Sequence, residues 1–231
     1  MPLNKQKGNM YAFVTHTWNP IRGKCPHDCS YCYMKVYPQA DFRFIEKEMK
    51  ANLGEGNFIF VGSSTDMWCP ESCAEWIALT LGHTNHYRNR YLFQSKNPAR
   101  FLFYSDFFPK DTILGTTIET DFDYECSNAP LPYERLLAME DIKLPKMISI
   151  EPIMDFNLDT LTDWVARIKP RFVSIGADSK GHKLPEPSPE KIQQLIERLQ
   201  GMTTVKIKDN LKRLLRKPVH VSSDVHDLGG V

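Results

Sequence analysis

Cys25-Pro26-His27-Asp28-Cys29-Ser30-Tyr31-Cys32 gathers three thiols into one short stretch with C-x3-C-x2-C spacing. It follows an apolar, strand-like run at Tyr11–Thr17 and opens a helix-like run at Ser30–Tyr37. Cysteine thiolates are the ligands of iron–sulfur clusters, and a four-iron cubane with only three protein ligands leaves one iron open to another molecule. A structural zinc takes four ligands, and His27 or His16 would complete that set. The triad by itself admits both readings.

Outward from this stretch, short runs rich in β-branched and aromatic residues alternate with helix-like ones. Strands are expected at Phe58–Ser63, Arg90–Ser95, Thr112–Ile118, Lys146–Glu151, Arg171–Gly176 and Thr204–Lys208. Helices are expected at Glu71–Gly82, Pro98–Tyr104, Pro132–Met139, Leu158–Ile168, Pro189–Leu199 and Asn210–Arg216. Asn157 or Asp159 suits the N-cap of the fifth helix of the chain, and Ser188 followed by Pro189 suits the start of the sixth. Strand and helix in turn imply βαβ units and right-handed crossovers. The expected fold is α/β, a partial (β/α) barrel of about six parallel strands with a wide mouth. Residues 1–217 form one expected domain, and 218–231 a tail poor in apolar residues.

The 231 residues carry a formal net charge of +1, with 42% apolar and 25% charged residues, an ordinary globular composition. So small a net charge gives no general attraction to nucleic acid or an anionic membrane, so any such role rests on local patches. Met1–Asn9 lacks the apolar run of a signal peptide, and no segment approaches the ~20 apolar residues that span a bilayer. A cytoplasmic protein with no membrane partner is expected, in which cysteines serve more often as metal ligands, catalytic groups or buried apolar residues than as disulfides.

In a sheet of this kind chemistry gathers at the C-terminal strand ends. Those ends read Trp18-Asn19-Pro20, Gly62-Ser63-Ser64-Thr65-Asp66, Gln94-Ser95-Lys96-Asn97, Thr116-Thr117-Ile118-Glu119, Ser149-Ile150-Glu151-Pro152 and Gly176-Ala177-Asp178-Ser179. Nearly every one is polar. With the cysteine spacing after the first strand and Tyr31 just before the third cysteine, the chain resembles the radical S-adenosylmethionine (radical SAM) superfamily. The order of Trp18-Asn-Pro, Phe60-Val-Gly-Ser, Phe93-Gln-Ser-Lys96, Leu114-Gly, Ser149-Ile-Glu-Pro152 and Ser174-Ile-Gly-Ala further resembles the phage Gp37/Gp68-like (DUF5131) branch, over most of residues 11–210.

The resemblance implies a [4Fe–4S] cluster on Cys25, Cys29 and Cys32 and S-adenosylmethionine (SAM) on the open iron. It implies reductive cleavage of SAM to a 5′-deoxyadenosyl radical, with electrons from a flavodoxin- or ferredoxin-like donor. It places the adenine near Tyr31, the SAM amino group near Ser63, Ser64 and Asp66, the carboxylate near Lys96, and the ribose near Thr117 or Glu119. The family's usual second-strand motif is Gly-Gly-Glu-like, and the serine-rich form here departs from it. Glu151 and Asp178 are candidates for substrate contact or proton transfer. Cys69 is a candidate hydrogen donor to a substrate radical, and Cys69 and Cys73 together with Cys126 or His83 are a candidate second metal set.

Phage-type kinship and two basic stretches, His86–Arg100 and Lys206–Lys217, favour a nucleic acid or nucleotide as substrate. The second stretch also reads as an amphipathic helix with Leu211, Leu214 and Leu215 inward. The alternative from another class is a non-catalytic, zinc-stabilised nucleic-acid-binding protein, which would be colourless and bind in a salt-sensitive way.

Overall fold

The computed structural model describes residues 3–6, 8 and 10–215. In chain order these form β1 (Asn4–Lys5), β2 (His16–Trp18), β3 (Ile21–Arg22), β4 (Arg43–Phe44), β5 (Phe58–Val61), α1 (Ala74–Asn85), β6 (Arg90–Ser95) and α2 (Ala99–Leu102). There follow β7 (Thr112–Thr117), α3 (Pro132–Asp141), β8 (Lys146–Ile150), α4 (Leu158–Ile168), β9 (Phe172–Ile175), α5 (Pro189–Gln200), β10 (Thr204–Ile207) and α6 (Lys212–Leu215). The expected tail at 218–231 lies outside the described residues.

One sheet runs β1-β2-β5-β6-β7-β8-β9-β10, with every neighbouring pair from β2 onward parallel and β1 antiparallel to β2. β3 and β4 form a separate two-stranded hairpin. The α/β partial barrel is thus observed, with seven parallel strands rather than about six, because Thr204–Ile207 pairs with β9 along its whole length. Among the described residues β10 pairs only with β9, so the barrel is open.

Alternation along the strands divides the core in two. Ile59, Val61, Tyr91, Phe93, Leu114, Ile148, Ile150, Val173 and Ile175 face the helices, where Ile77, Leu136, Leu161, Val165, Leu195 and Leu199 cover them. The concave face carries Phe60, Leu92, Ile113, Met147 and Phe172, and Tyr11 and Val14 pack onto it from the segment before β2. The expected strand Tyr11–Thr17 is therefore corrected. The apolar run bends back at Tyr11, whose carbonyl accepts from the Val14 amide at 3.0 Å, and the strand proper is His16–Trp18.

Two helices shrink. Ser30–Tyr37 keeps only a 3-10 turn at Tyr33–Val36, because the loop's amides bond elsewhere. Asp28 N donates to Cys25 O, Cys32 N to Cys29 O and Ser30 N to Cys126 O, while His27 O accepts from Asn128 N. Asn210–Arg216 is a 3-10 turn at Asp209–Leu211 followed by α6, with Leu211 buried and Leu214 and Leu215 against the core; Arg216 lies outside the described residues.

Candidate functional site

The cysteine loop sits at the C-terminal end of β2 and is held by side chains from the next strands. Asn19, just past β2, is buried, and its Oδ1 accepts from Ser63 Oγ at 3.2 Å and Ser64 N at 3.0 Å. Gly62 has φ +77°, a left-handed turn that glycine adopts without cost, and its amide donates to Trp18 O. Asp66 accepts from Trp68 N at 2.9 Å, from Ser95 Oγ at 2.9 Å and from Lys96 N at 2.8 Å, and His27 Nε2 stands 2.9 Å from its Oδ2. Burial alone would raise its carboxyl; His27 and the two amides hold it below the usual carboxylate range instead. Asp66 thus ties the cysteine loop to the ends of β5 and β6.

Tyr31, Lys96 and Glu119, separate expectations from the sequence, converge. Tyr31 Oη donates to Glu119 Oε1 at 2.5 Å, Lys96 Nζ donates to the same oxygen at 2.7 Å and also contacts Tyr31 Oη, and the ammonium lies 4.5 Å from the Tyr31 ring centroid. Sequence reasoning missed the fourth member. Arg135 of α3, buried, donates to Glu119 Oε2 at 2.7 Å and to Thr117 O at 3.0 Å. Burial would raise the Glu119 carboxyl, and the Lys96 and Arg135 cations overturn that and hold it at about 2. A signal for Arg135 was present: it stands four residues before Met139 on the face that α3 buries.

Cys25, Cys29 and Cys32 are each partly exposed and free of disulfides. Burial, with the Asp66 carboxylate, pushes the Cys25 thiol up to about 12, and burial also raises Cys32. Thiols so placed ionise when a cation sits against them. Each candidate fourth zinc ligand has one ring nitrogen near a side-chain oxygen: His27 Nε2 stands 2.9 Å from Asp66 Oδ2, and His16 Nδ1 2.9 Å from Thr15 Oγ1. Among the described residues no three His, Cys, Asp or Glu side chains converge to hold a single metal ion. Three free, partly exposed thiols on one loop are the donor type that a four-iron cluster takes.

Of the remaining candidates, Cys69 and Cys126 lie near this group and the others lie apart from it. Cys69 is wholly buried within electrostatic reach of Cys25 and Asp66, and burial raises its thiol far. Cys73 is exposed, Cys126 lies within electrostatic reach of Cys29, and His83 Nε2 meets Ala51 O at 2.9 Å. Asp178 accepts from Lys180 N at 3.0 Å, from His182 N at 2.5 Å and meets His182 Nδ1 at 2.7 Å, so it organises its own loop. Glu151 faces the barrel interior, with Lys208 Nζ at 2.8 Å and Asn210 Nδ2 at 3.3 Å.

Beneath them lies a polar floor that the sequence did not reveal. Tyr11 Oη lies within hydrogen-bond distance of Gln94 Oε1 at 2.9 Å and of Ser149 Oγ at 2.8 Å, and Gln94 Nε2 donates to Thr117 Oγ1 at 3.1 Å. Tyr11 comes from outside the barrel strands, so no strand periodicity marks it.

Solved structures share this architecture. A cysteine-to-serine variant of spore photoproduct lyase aligns with TM-score 0.62 at 10% identity, over 87% of this chain and 78% of that one. A doubly substituted variant of the same lyase, with bound AdoMet and dinucleoside spore photoproduct, aligns with TM-score 0.57 at 10% identity, over 87% of this chain and 66% of that one. SuiB of Streptococcus suis bound to S-adenosylmethionine gives TM-score 0.55 at 11% identity over 83% of this chain, which spans about half, 49%, of SuiB. At such identities the likeness shows the fold. No family model matches the chain, and no curated protein matches it in sequence. No helix among the described residues is long and apolar enough to cross a membrane.

Proposed function

We propose that this chain is a radical SAM enzyme of the DUF5131 kind, acting on a nucleic acid or nucleotide. The observation that carries the reading is the position of the three-thiol loop. It stands at the end of β2 on a partial barrel shared with proteins solved with S-adenosylmethionine, and its own Tyr31 is locked to Lys96 and Glu119 at the ends of β6 and β7.

In this reading Cys25, Cys29 and Cys32 hold a [4Fe–4S] cluster, and SAM binds beside it. Bound there, the pair supplies one-electron reductive cleavage of the sulfonium, giving methionine and a 5′-deoxyadenosyl radical. The chain's own residues bind and orient. Ser63 and Ser64, set by Asn19, receive the amino group, with Asp66 shaping their loop; Lys96 receives the carboxylate; Tyr31 borders the adenine; Thr117 and Glu119 border the ribose. Glu151 and Asp178 face the substrate side, and Cys69 is retained as a hydrogen donor. Trp68, next to Cys69 in the chain, is buried edge-on against Phe93, Phe101 and Tyr104. Electrons come from a flavodoxin- or ferredoxin-like protein in the cytoplasm.

The test is anaerobic reconstitution with iron and sulfide, followed by electron paramagnetic resonance of the reduced protein with and without SAM. A four-iron signal that shifts on adding SAM and vanishes in Cys29→Ala is expected. Firm zinc with no such signal would replace this reading with a zinc-stabilised nucleic-acid binder.

A further inference from the structure

Glu151 and Lys208 meet at the ends of β8 and β10, beyond the strands that carry Lys96 and Glu119. The site is built. Gly176, on the adjoining strand end, leaves the space Glu151 occupies, since a Cβ there would come within 2.7 Å of Glu151 Cδ. Asn210 Nδ2 lies 2.6 Å from Ala177 O, 2.9 Å from Ser179 Oγ and 3.3 Å from Glu151 Oε1, three acceptors around its two N–H donors. The Lys208 ammonium lies 5.0 Å from the Tyr11 ring centroid, above the hydroxyl-lined floor. Yet the pair is reachable: Glu151 keeps 18% and Lys208 12% of its side chain exposed. Asn210 and Ser179 also line a neighbouring cleft of about 730 Å³ together with Lys183 and Arg213.

A carboxylate only accepts hydrogen bonds and an ammonium only donates them. Set 2.8 Å apart, they form a neutral pair that matches an uncharged group offering a donor and an acceptor side by side. Within one trans peptide unit the N–H and C=O point in opposite directions, so a single secondary amide does not match the pair. The cis-lactam edge of a nucleobase can: in guanine, thymine or uracil the ring N–H lies beside a carbonyl on one edge. We infer that Glu151 and Lys208 form a base-reading subsite, Glu151 accepting the ring N–H and Lys208 donating to the adjacent carbonyl, with Asn210 positioning Glu151. The inference rests on the radical SAM reading for its place in the reaction and names the part of the substrate that enters the barrel.

The experiment is calorimetric titration of the reconstituted protein with thymidine, guanosine and uridine, with N3-methylthymidine, which lacks the ring N–H, and with N-methylacetamide, a single trans secondary amide. At least one lactam nucleoside should bind, and binding should weaken about ten-fold or more for the N-methyl analogue and in Glu151→Gln and Lys208→Met. Circular dichroism checks that the variants fold, and their reduced cluster signal should still respond to SAM. The subsite is overturned if no nucleoside binds, if the amide alone binds, or if folded variants bind nucleosides as before. It is equally overturned if the variants lose the SAM response, which would place the pair in the SAM site. Failure of the parent protein to form a SAM-responsive cluster defeats the radical SAM reading alone, since nucleoside binding and its loss in the two variants are read independently.

Discussion

Glu119 is where burial and charge oppose each other most directly. Its carboxylate is enclosed by Lys96, Arg135 and Tyr31, all supplied by different elements. Glu119→Gln leaves two cations without their counter-charge, and a loss of about 3–5 kcal/mol in urea unfolding is expected. The pH dependence follows from the same carboxyl, lowered from 4.5 to about 2. A depressed acid stabilises the fold fully above its unfolded value, and this contribution is lost as pH falls from 4.5 toward about 2. The parent should therefore show an acid-unfolding slope between those limits that Glu119→Gln lacks. Tyr31, Lys96 and Glu119 were each legible in the sequence as polar or aromatic groups at strand ends. Their mutual contact was not, because each was assigned a separate part of SAM, and Arg135 contributes from a helix whose pattern reads as core.

Among the elements, α4 and α5 behave as their sequences suggest. Asn157 Oδ1 accepts from Thr160 N at 3.0 Å and Ser188 Oγ from Lys191 N at 3.2 Å, each satisfying an amide at a helix start that has no partner within the helix. Asn157→Ala is expected to cost about 1 kcal/mol, read as a lower thermal midpoint with an unchanged SAM response of the cluster. The element that departs from its pattern is the cysteine loop. Helical spacing at Ser30–Tyr37 is overridden by hydrogen bonds to Cys126 and Asn128, 96 or more residues away in sequence, as the pairs Ser30 with Cys126 and His27 with Asn128 show. Local periodicity carries no information about a partner so distant.

For the whole molecule, the open barrel has two cores, one beneath the helices and one on the concave face. The second is closed by Tyr11 and Val14, so the segment before β2 supplies the floor of the mouth. Tyr11→Ala removes a buried ring and the hydroxyl that joins Gln94 to Ser149, and is expected to destabilise the protein by about 3–5 kcal/mol. Denaturant midpoints would show it. A change below about 1 kcal/mol would mean that the floor does not support the barrel.

Taken by itself, the amino-acid sequence determined the alternation of strands and helices, the parallel sheet, the three-thiol loop and the polar strand ends. These are local properties: period, spacing and residue type within a few positions along the chain. Only the tertiary structure decided that Tyr11 folds under the mouth and that Arg135 completes the Glu119 cluster. It likewise showed that Asp66 joins the cysteine loop to the end of β6, that Asp178 bonds within its own loop and that Lys208 meets Glu151. Each of these depends on which buried charge or hydroxyl finds its partner across the sheet, and the low-dielectric interior requires such a partner without the intervening sequence naming it.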